Sequence, residues 1–255
     1  MKQCDNQDFK YSLVELDEVD STNAYLLNRY RAQQVISELM TVSAQYQFKG
    51  RGQRSSQGWE SNRGENLLFS FIINPRSIAI KDQFIISQMV ALAVKEELDI
   101  FADGFKIKWP NDIYWHDKKI AGILIETELM GSIFDVAVIG IGLNLHQKEF
   151  KGDAPNPISL VQITDKSIRK NEILNHILMR FKTYYDDYLS MEDNTVISQR
   201  YLEKLYKLNQ MATYSDANGE FKGKIVNVDR QGFLFIEDEQ LFTRRYAFKE
   251  VRYKG

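Results

Sequence analysis

At 255 residues the chain is long enough to bury a full core, which points to one large domain with a small appendage. A hydrophobic content of 44% and a charged content of 27% are those of a soluble globular protein and exclude disorder over most of the length. The net charge of -2, from 33 basic and 35 acidic side chains, excludes nucleic-acid binding through an overall field and leaves only a local patch.

The single cysteine, Cys4, allows no internal disulfide and fits a reducing compartment. It falls in a polar leader, residues 1–10, that lacks the apolar core of an export signal. No segment is long and apolar enough to cross a bilayer, so a cytoplasmic protein without a membrane partner is expected.

Residues 11–19 form a strand-like run ending at Asp20-Ser-Thr-Asn23, residues that start helices, and 24–34 continue with helix formers. A second strand over 39–45 leads into 49–65, where glycine, arginine and serine predict a mobile loop. Residues 66–73 have the content of a buried strand. Residues 82–98 predict a helix with Phe84, Ile85, Met89, Leu92 and Ala93 on its apolar side.

Next comes Lys108-Trp-Pro-Asn-Asp112, followed by Lys119-Ile-Ala-Gly-Ile-Leu124. Pro110 restrains the backbone, Asn111 and Asp112 suit a turn, and 113–115 and 120–125 carry strand-forming residues. One hairpin bearing two lysines, a carboxylate and Gly122 is expected. Charge and turn residues alone fit either solvated lysines or a site for an anion with a metal.

Residues 133–141 predict another strand, ending in Gly140-Ile-Gly-Leu-Asn144. After the turn-rich stretch 152–157, residues 169–189 form a long amphipathic helix with Ile173, Leu174, Ile177, Leu178, Phe181, Tyr184, Tyr185 and Tyr188 on one side. A further helix is expected over 196–208. From about 211 the pattern is all strand, with runs at 223–228, 232–236 and 241–245 broken by turn residues, which predicts a small β-barrel.

The glycine-rich run Gly50-Arg-Gly-Gln-Arg-Ser-Ser56 lacks the lysine-serine/threonine ending of a P-loop and the spacing of a dinucleotide-binding turn. Its arginines can still hold carboxylate or phosphate oxygens in pairs, while its glycines let a ligand approach the backbone. His116, His146 and His176 are too scattered in sequence for a metal site.

Taken in order, Val19-Asp-Ser-Thr-Asn23, Gln47 with Gly50-Arg-Gly52, Trp59-Glu-Ser61, Asn66-Leu67, Lys108-Trp-Pro-Asn-Asp112, Lys119-Ile-Ala-Gly-Ile-Leu-Ile-Glu126 and Gly140-Ile-Gly-Leu-Asn144 resemble the motifs of biotin protein ligases. The resemblance covers 17–146 strongly and the β-rich tail loosely. It implies an α/β (α+β) fold, a mixed sheet flanked by helices, with a catalytic domain over 1–209 and an SH3-like β-barrel over 210–255.

The same resemblance implies a two-step reaction. Biotin is first activated by ATP as biotinyl-5'-AMP, then passed to a lysine of a biotin carboxyl-carrier protein. Lys119 matches the lysine that contacts the biotin carboxylate and the α-phosphate, and Lys108 the one aimed at the phosphates. With Asp112 and Arg51 they make the implied catalytic set. Ser21, Thr22, Asn23 and Gln47 match the partners of the ureido ring, joined by Arg51, Gly52, Gln53, Lys119 and Gly122 around biotin. Arg54, Trp59, Lys108, Asn111, Asp112, Gly142 and Asn144 match the ATP and adenylate side, with Asp112 as the Mg2+ contact. The carrier amine is itself the nucleophile, so no Ser/His/Asp arrangement is expected.

Two departures from the family pattern stand out. Gln53 replaces an arginine that holds the adenylate, which leaves Arg54 to take its place, and Ser55 stands where a second glycine is usual. Only about eighteen residues precede the Asp-Ser-Thr-Asn motif, too few for a DNA-binding winged helix, so no DNA partner is expected. Lipoate/octanoate-protein ligases share the architecture but lack this pairing of KWPND with a GRG loop and Gln47. They remain the alternative, and a homodimer is left open.

Overall fold

A computed structural model describes residues 2–6, 9–52, 58–152, 156–190 and 195–254. In chain order its elements are β1 (Lys2–Asn6), β2 (Phe9–Val19), α1 (Thr22–Arg31), β3 (Thr41–Gln47), β4 (Leu67–Ile73), α2 (Phe84–Leu98), β5 (Phe105–Lys108), β6 (Asp112–Trp115), β7 (Lys118–Met130) and β8 (Ile133–Leu143). After these come α3 (Lys170–Ser190), α4 (Thr195–Glu203), β9 (Ala212–Asp216), β10 (Gly219–Val228), β11 (Leu234–Asp238), β12 (Thr243–Tyr246) and β13 (Arg252–Lys254).

Eight strands form one mixed sheet in the order β1-β2-β3-β4-β8-β7-β6-β5. β2 and β3 are parallel, joined by the α1 crossover, and every other neighbouring pair is antiparallel. The alternation of side chains along β4 shows how this sheet is covered. Phe69, Phe71 and Ile73 enter the large core beneath α2, α3 and α4, whereas Ile72 joins Leu26, Leu27, Met40, Val42, Val136 and Val138 in a smaller core beneath α1. Helices therefore flank both faces. Phe181 of α3, fully buried, stacks on Tyr185 and packs against Phe71, fastening α3 to the sheet.

The smaller core positions the site. α1 packs mainly on β3, β4 and β8 and touches β7 through Asn23, so on its face of the sheet the β5 and β6 end lies beyond its main contacts. The second sheet, in the order β12-β11-β10-β9-β13, is antiparallel throughout and carries the SH3-like part of the fold. Its hydrogen-bonded order is open, with β12 and β13 at its edges. Among the described residues no helix is long and apolar enough to cross a membrane.

Several boundaries differ from the sequence expectation for physical reasons. Residues 2–6 are an edge strand rather than a loose leader, because backbone pairing with β2 needs no apolar side chains. The expected single hairpin is a three-stranded meander. Phe105 and Ile107 are buried and Lys106 exposed, so Lys108 closes a strand of its own before the turn at 109–111. The helix expected over 196–208 stops at Glu203, beyond which the chain bridges Ile107 to Leu205 and Leu208 to Ile225 and takes positive φ at Lys207 and Asn209. The basic loop is tied at its ends by a bridge between Arg51 and Gly58 and by the Trp59 amide on the Gly50 carbonyl. Gln53 and Arg54 lie outside the described residues.

Candidate active site

A cavity of about 960 Å³ opens on the part of the sheet that α1 leaves bare, closed on its far side by the second sheet. One end is a polar network built on the start of α1. Ser21, extended at φ -158 and ψ 135, caps the helix. The Thr22 amide then donates to Gln47 Oε1 at 2.8 Å, and Thr22 Oγ1 lies 2.6 Å from Ser70 Oγ. Ser70 in turn donates to Asn23 Oδ1 at 2.6 Å, and Asn23 Nδ2 donates to Glu126 Oε2 at 2.8 Å and to the Leu124 carbonyl at 3.2 Å. Arg51 reaches the same Glu126 carboxylate at 3.2 Å. Ser21, Thr22 and Asn23 are all buried, so each must be satisfied by such partners.

Gly140 makes room for this network. A Cβ on it would stand 2.9 Å from Asn23 Cγ and 3.2 Å from Asn23 Nδ2. Gly140 thus serves the end built on α1, two residues before Gly142 on the same strand.

The floor of the cavity is a pair of glycines. Gly122 of β7 and Gly142 of β8 are cross-strand partners, and the Trp59 indole lies over both: a Cβ on Gly142 would be 2.7 Å from Cδ2, and one on Gly122 would be 2.9 Å from Cζ3. Side chains at either position would lift the ring off the sheet. Trp59 Nε1 is buried without a hydrogen-bond partner among the described residues, as is Asn144 Oδ1. Both residues line the cavity, and both atoms are shielded from solvent. Asn144 Nδ2 is used on the Ile158 carbonyl at 3.1 Å.

The meander supplies the charges. Lys108 faces Asp112 across β5 and β6, and Asp112 faces Gly122 across β6 and β7. Lys119 Nζ lies 2.7 Å from Asp112 Oδ1 and 5.7 Å from the Trp59 ring, and both partners of the ion pair are largely shielded from solvent. Lys108 Nζ donates to Tyr114 Oη at 3.0 Å. Burial, helped by the Asp112 charge, pushes the Tyr114 phenol far above its usual range, so it stays a neutral hydroxyl. Asn111 spends its amide nitrogen on the Ile123 carbonyl at 2.5 Å and so fixes the turn to β7. Trp109, in that turn, donates to the Gly232 carbonyl at 3.0 Å and packs edge-on against Phe248. The turn between the two charged positions is thereby pinned to the second sheet.

Ser21, Thr22, Asn23, Gln47, Arg51, Gly52, Trp59, Lys108, Asn111, Asp112, Lys119, Gly122, Gly142 and Asn144 all line this one cavity. Sequence reasoning gave no role to Ser70, Glu126, Tyr114 or Tyr253. Ser70 carries no local signal, and Glu126 only closes a motif, since the importance of both lies in contacts made with α1 from distant strands. No cluster of three or more His, Cys, Asp or Glu side chains suited to a metal occurs among the described residues.

The chain belongs to the biotin/lipoate A/B protein ligase family, whose model matches residues 16–144. Within that family it is similar to the bifunctional ligase/repressor of Bacillus spizizenii, at 30% identity over 213 residues, 81% of this chain and 64% of that protein. It thus spans less than two thirds of that relative's length. It is also similar to the biotin–[acetyl-CoA-carboxylase] ligase of Paracoccus denitrificans, 27% identical over 87% of this chain and 92% of that one. Among solved structures, the biotin protein ligase of Aquifex aeolicus in complex with biotin and ATP superposes with a TM-score of 0.78 at 27% identity, covering 95% of this chain and 98% of the other.

Proposed function

We propose that this chain is an ATP-dependent ligase that activates biotin as biotinyl-5'-AMP and transfers it to a lysine of a biotin carboxyl-carrier protein. The observation that carries the reading is that Lys119, paired to Asp112 at 2.7 Å, lines the same cavity as Gln47, Thr22 and Asn23, with the Gly122 and Gly142 strands lying between the lysine and that polar network. That network offers donors and acceptors to a ureido ring, the Trp59 indole seated on the glycine pair offers an apolar face to the cavity, and the lysines are assigned to the carboxylate and phosphate end.

In the first step a biotin carboxylate oxygen attacks the α-phosphorus of ATP and pyrophosphate leaves. Two anions must meet, and Lys119 and Lys108 offset their repulsion in a partly dry site where such charges count most. In the second step the carrier amine attacks the acyl carbon, the bond to the phosphate oxygen breaks, and AMP leaves. Asn144 and Trp59, which line the cavity, are assigned to the nucleotide side.

Magnesium favours oxygen ligands, keeps several waters and leans on one or two carboxylates plus phosphate oxygens, where it neutralises charge. Asp112, with Oδ1 turned to Lys119, fits as its one carboxylate contact. We further propose a division near residue 210 into a catalytic part and an SH3-like part, and a cytoplasmic location in keeping with the single cysteine.

The test is exchange of labelled pyrophosphate into ATP by the purified chain, with biotin or lipoate as the acid, followed by transfer to an apo carrier domain. Exchange that requires biotin supports the reading. Exchange with lipoate alone would move the protein to the lipoate branch, and none with either acid would sink the ligase assignment.

A further inference from the structure

The mechanism above leaves unexplained how Lys108 is held, and one of its supports comes from the second sheet. Lys108 Nζ sits 4.3 Å from the centroid of the Tyr114 ring and 5.6 Å from that of Tyr253. Tyr114 belongs to the same meander, on β6, whereas Tyr253 lies on β13, where it pairs with Tyr214 of β9. Its ring is fixed from two sides: edge-on against Tyr206 at 5.7 Å and against Tyr214 at 5.8 Å. The Tyr206 hydroxyl is in turn held by Asp117, in the turn that joins β6 to β7. All of these tyrosines border the cavity that holds Lys119 and Asp112.

We infer that Tyr253 is a positioning residue for the ATP step, its π-face steering the Lys108 ammonium toward the phosphates. The inference rests on the ligase reading above. A π-face attracts an ammonium without carrying a formal countercharge, so it directs the cation while leaving its charge to act on an incoming anion. The support for Lys108 comes from β13, which gives the second sheet a direct part in the chemistry.

The test is a series at position 253 in the full chain, read by biotin-dependent pyrophosphate exchange with ATP and biotin varied separately. Tyr253→Phe keeps the face and should keep the KM for ATP. Tyr253→Leu removes it and should raise that KM by about 2- to 30-fold while leaving the KM for biotin unchanged. Should the leucine variant fold poorly, phenylalanines of increasing ring fluorination at 253 keep the shape while draining negative charge from the face. The KM for ATP should then climb along that series. A flat series, or equal losses for ATP and biotin, would overturn the inference and reduce Tyr253 to a packing residue. The wild-type chain separates this from the broader reading: without biotin-dependent exchange the ligase assignment fails, whereas exchange with a flat series fails the inference alone.

Discussion

Gly140→Ala isolates the polar end of the cavity from everything else in the site. The backbone of Gly140 is held on both sides, opposite Ser70 of β4 and Leu124 of β7, so it cannot retreat from a new methyl group. The added Cβ would stand 2.9 Å from Asn23 Cγ, and the Asn23 side chain must give way. Overpacking of this kind costs about 1–3 kcal/mol. If Asn23 swings out, it also forfeits its bonds to Ser70 and the Leu124 carbonyl, about 1 kcal/mol each, and leaves Glu126 without one of its donors. The total is about 3–5 kcal/mol, which corresponds to a urea midpoint lower by roughly 1–2 M. Biotin affinity measured by calorimetry should fall as well, because the partners of the ureido ring lose their arrangement. The decisive control is Asn23→Ala, which removes the clashing atoms. In that background Gly140→Ala should cost little further, giving a favourable coupling in the double-mutant cycle. A Gly140→Ala protein as stable and as biotin-avid as its parent, or a cost that persists without Asn23, would refute the argument.

Three other perturbations probe different parts of the molecule. Lys119→Ala should lower biotin-dependent pyrophosphate exchange by about 100- to 1,000-fold, as expected for removal of a preorganised charge at the reacting oxygens, and leave Asp112 without its partner. Phe181→Ala empties a fully buried site between α3 and β4 and should cost about 3–5 kcal/mol in urea unfolding, with the loss appearing in stability rather than in the ATP dependence of the exchange. Asp216 has its pKa held below the usual carboxylate value, first by the Tyr246 hydroxyl that donates to it at 2.7 Å and then by the Asn218 amide and Arg244. A depressed folded pKa contributes stability that is present above the unfolded value and lost as pH falls through the folded one. Asp216→Asn should therefore flatten the decline of thermal midpoint on the acid side of the unfolded carboxylate pKa and lower the midpoint at neutral pH.

The elements with strong local signals were legible from the chain alone. The Ser-Thr-Asn start of α1, the apolar stripe of α3 and the buried run of β4 each carry a period or a cap that their neighbours do not obscure. The site residues predicted from the motifs were named as a group, and the described ones line one cavity. What stayed hidden was of two kinds. β1 and β13 are short polar edge strands whose only reason to be strands is the partner they pair with. β5 is just four residues long, and its alternation of Phe105 and Ile107 with two lysines was too brief to separate from the turn that follows. The second kind is reciprocal contact across long separations. Glu126 earns its place through Asn23 and Arg51, and Tyr253 through Lys108, pairings that no window of sequence contains.

The pin between Trp109 and the Gly232 carbonyl carries a consequence for the order in which the protein becomes competent. The two residues are 123 positions apart, so the turn between Lys108 and Asp112, already tied to β7 through Asn111, gains this second anchor only when a very long loop has closed. Strand pairs such as β6 with β7 are local and can form early, while contacts of such high sequence separation form slowly. During synthesis from the amino terminus, the meander can therefore stand complete in outline with its indole uncovered until β11 and its flanking turns emerge. The charged positions are assembled first and clamped last.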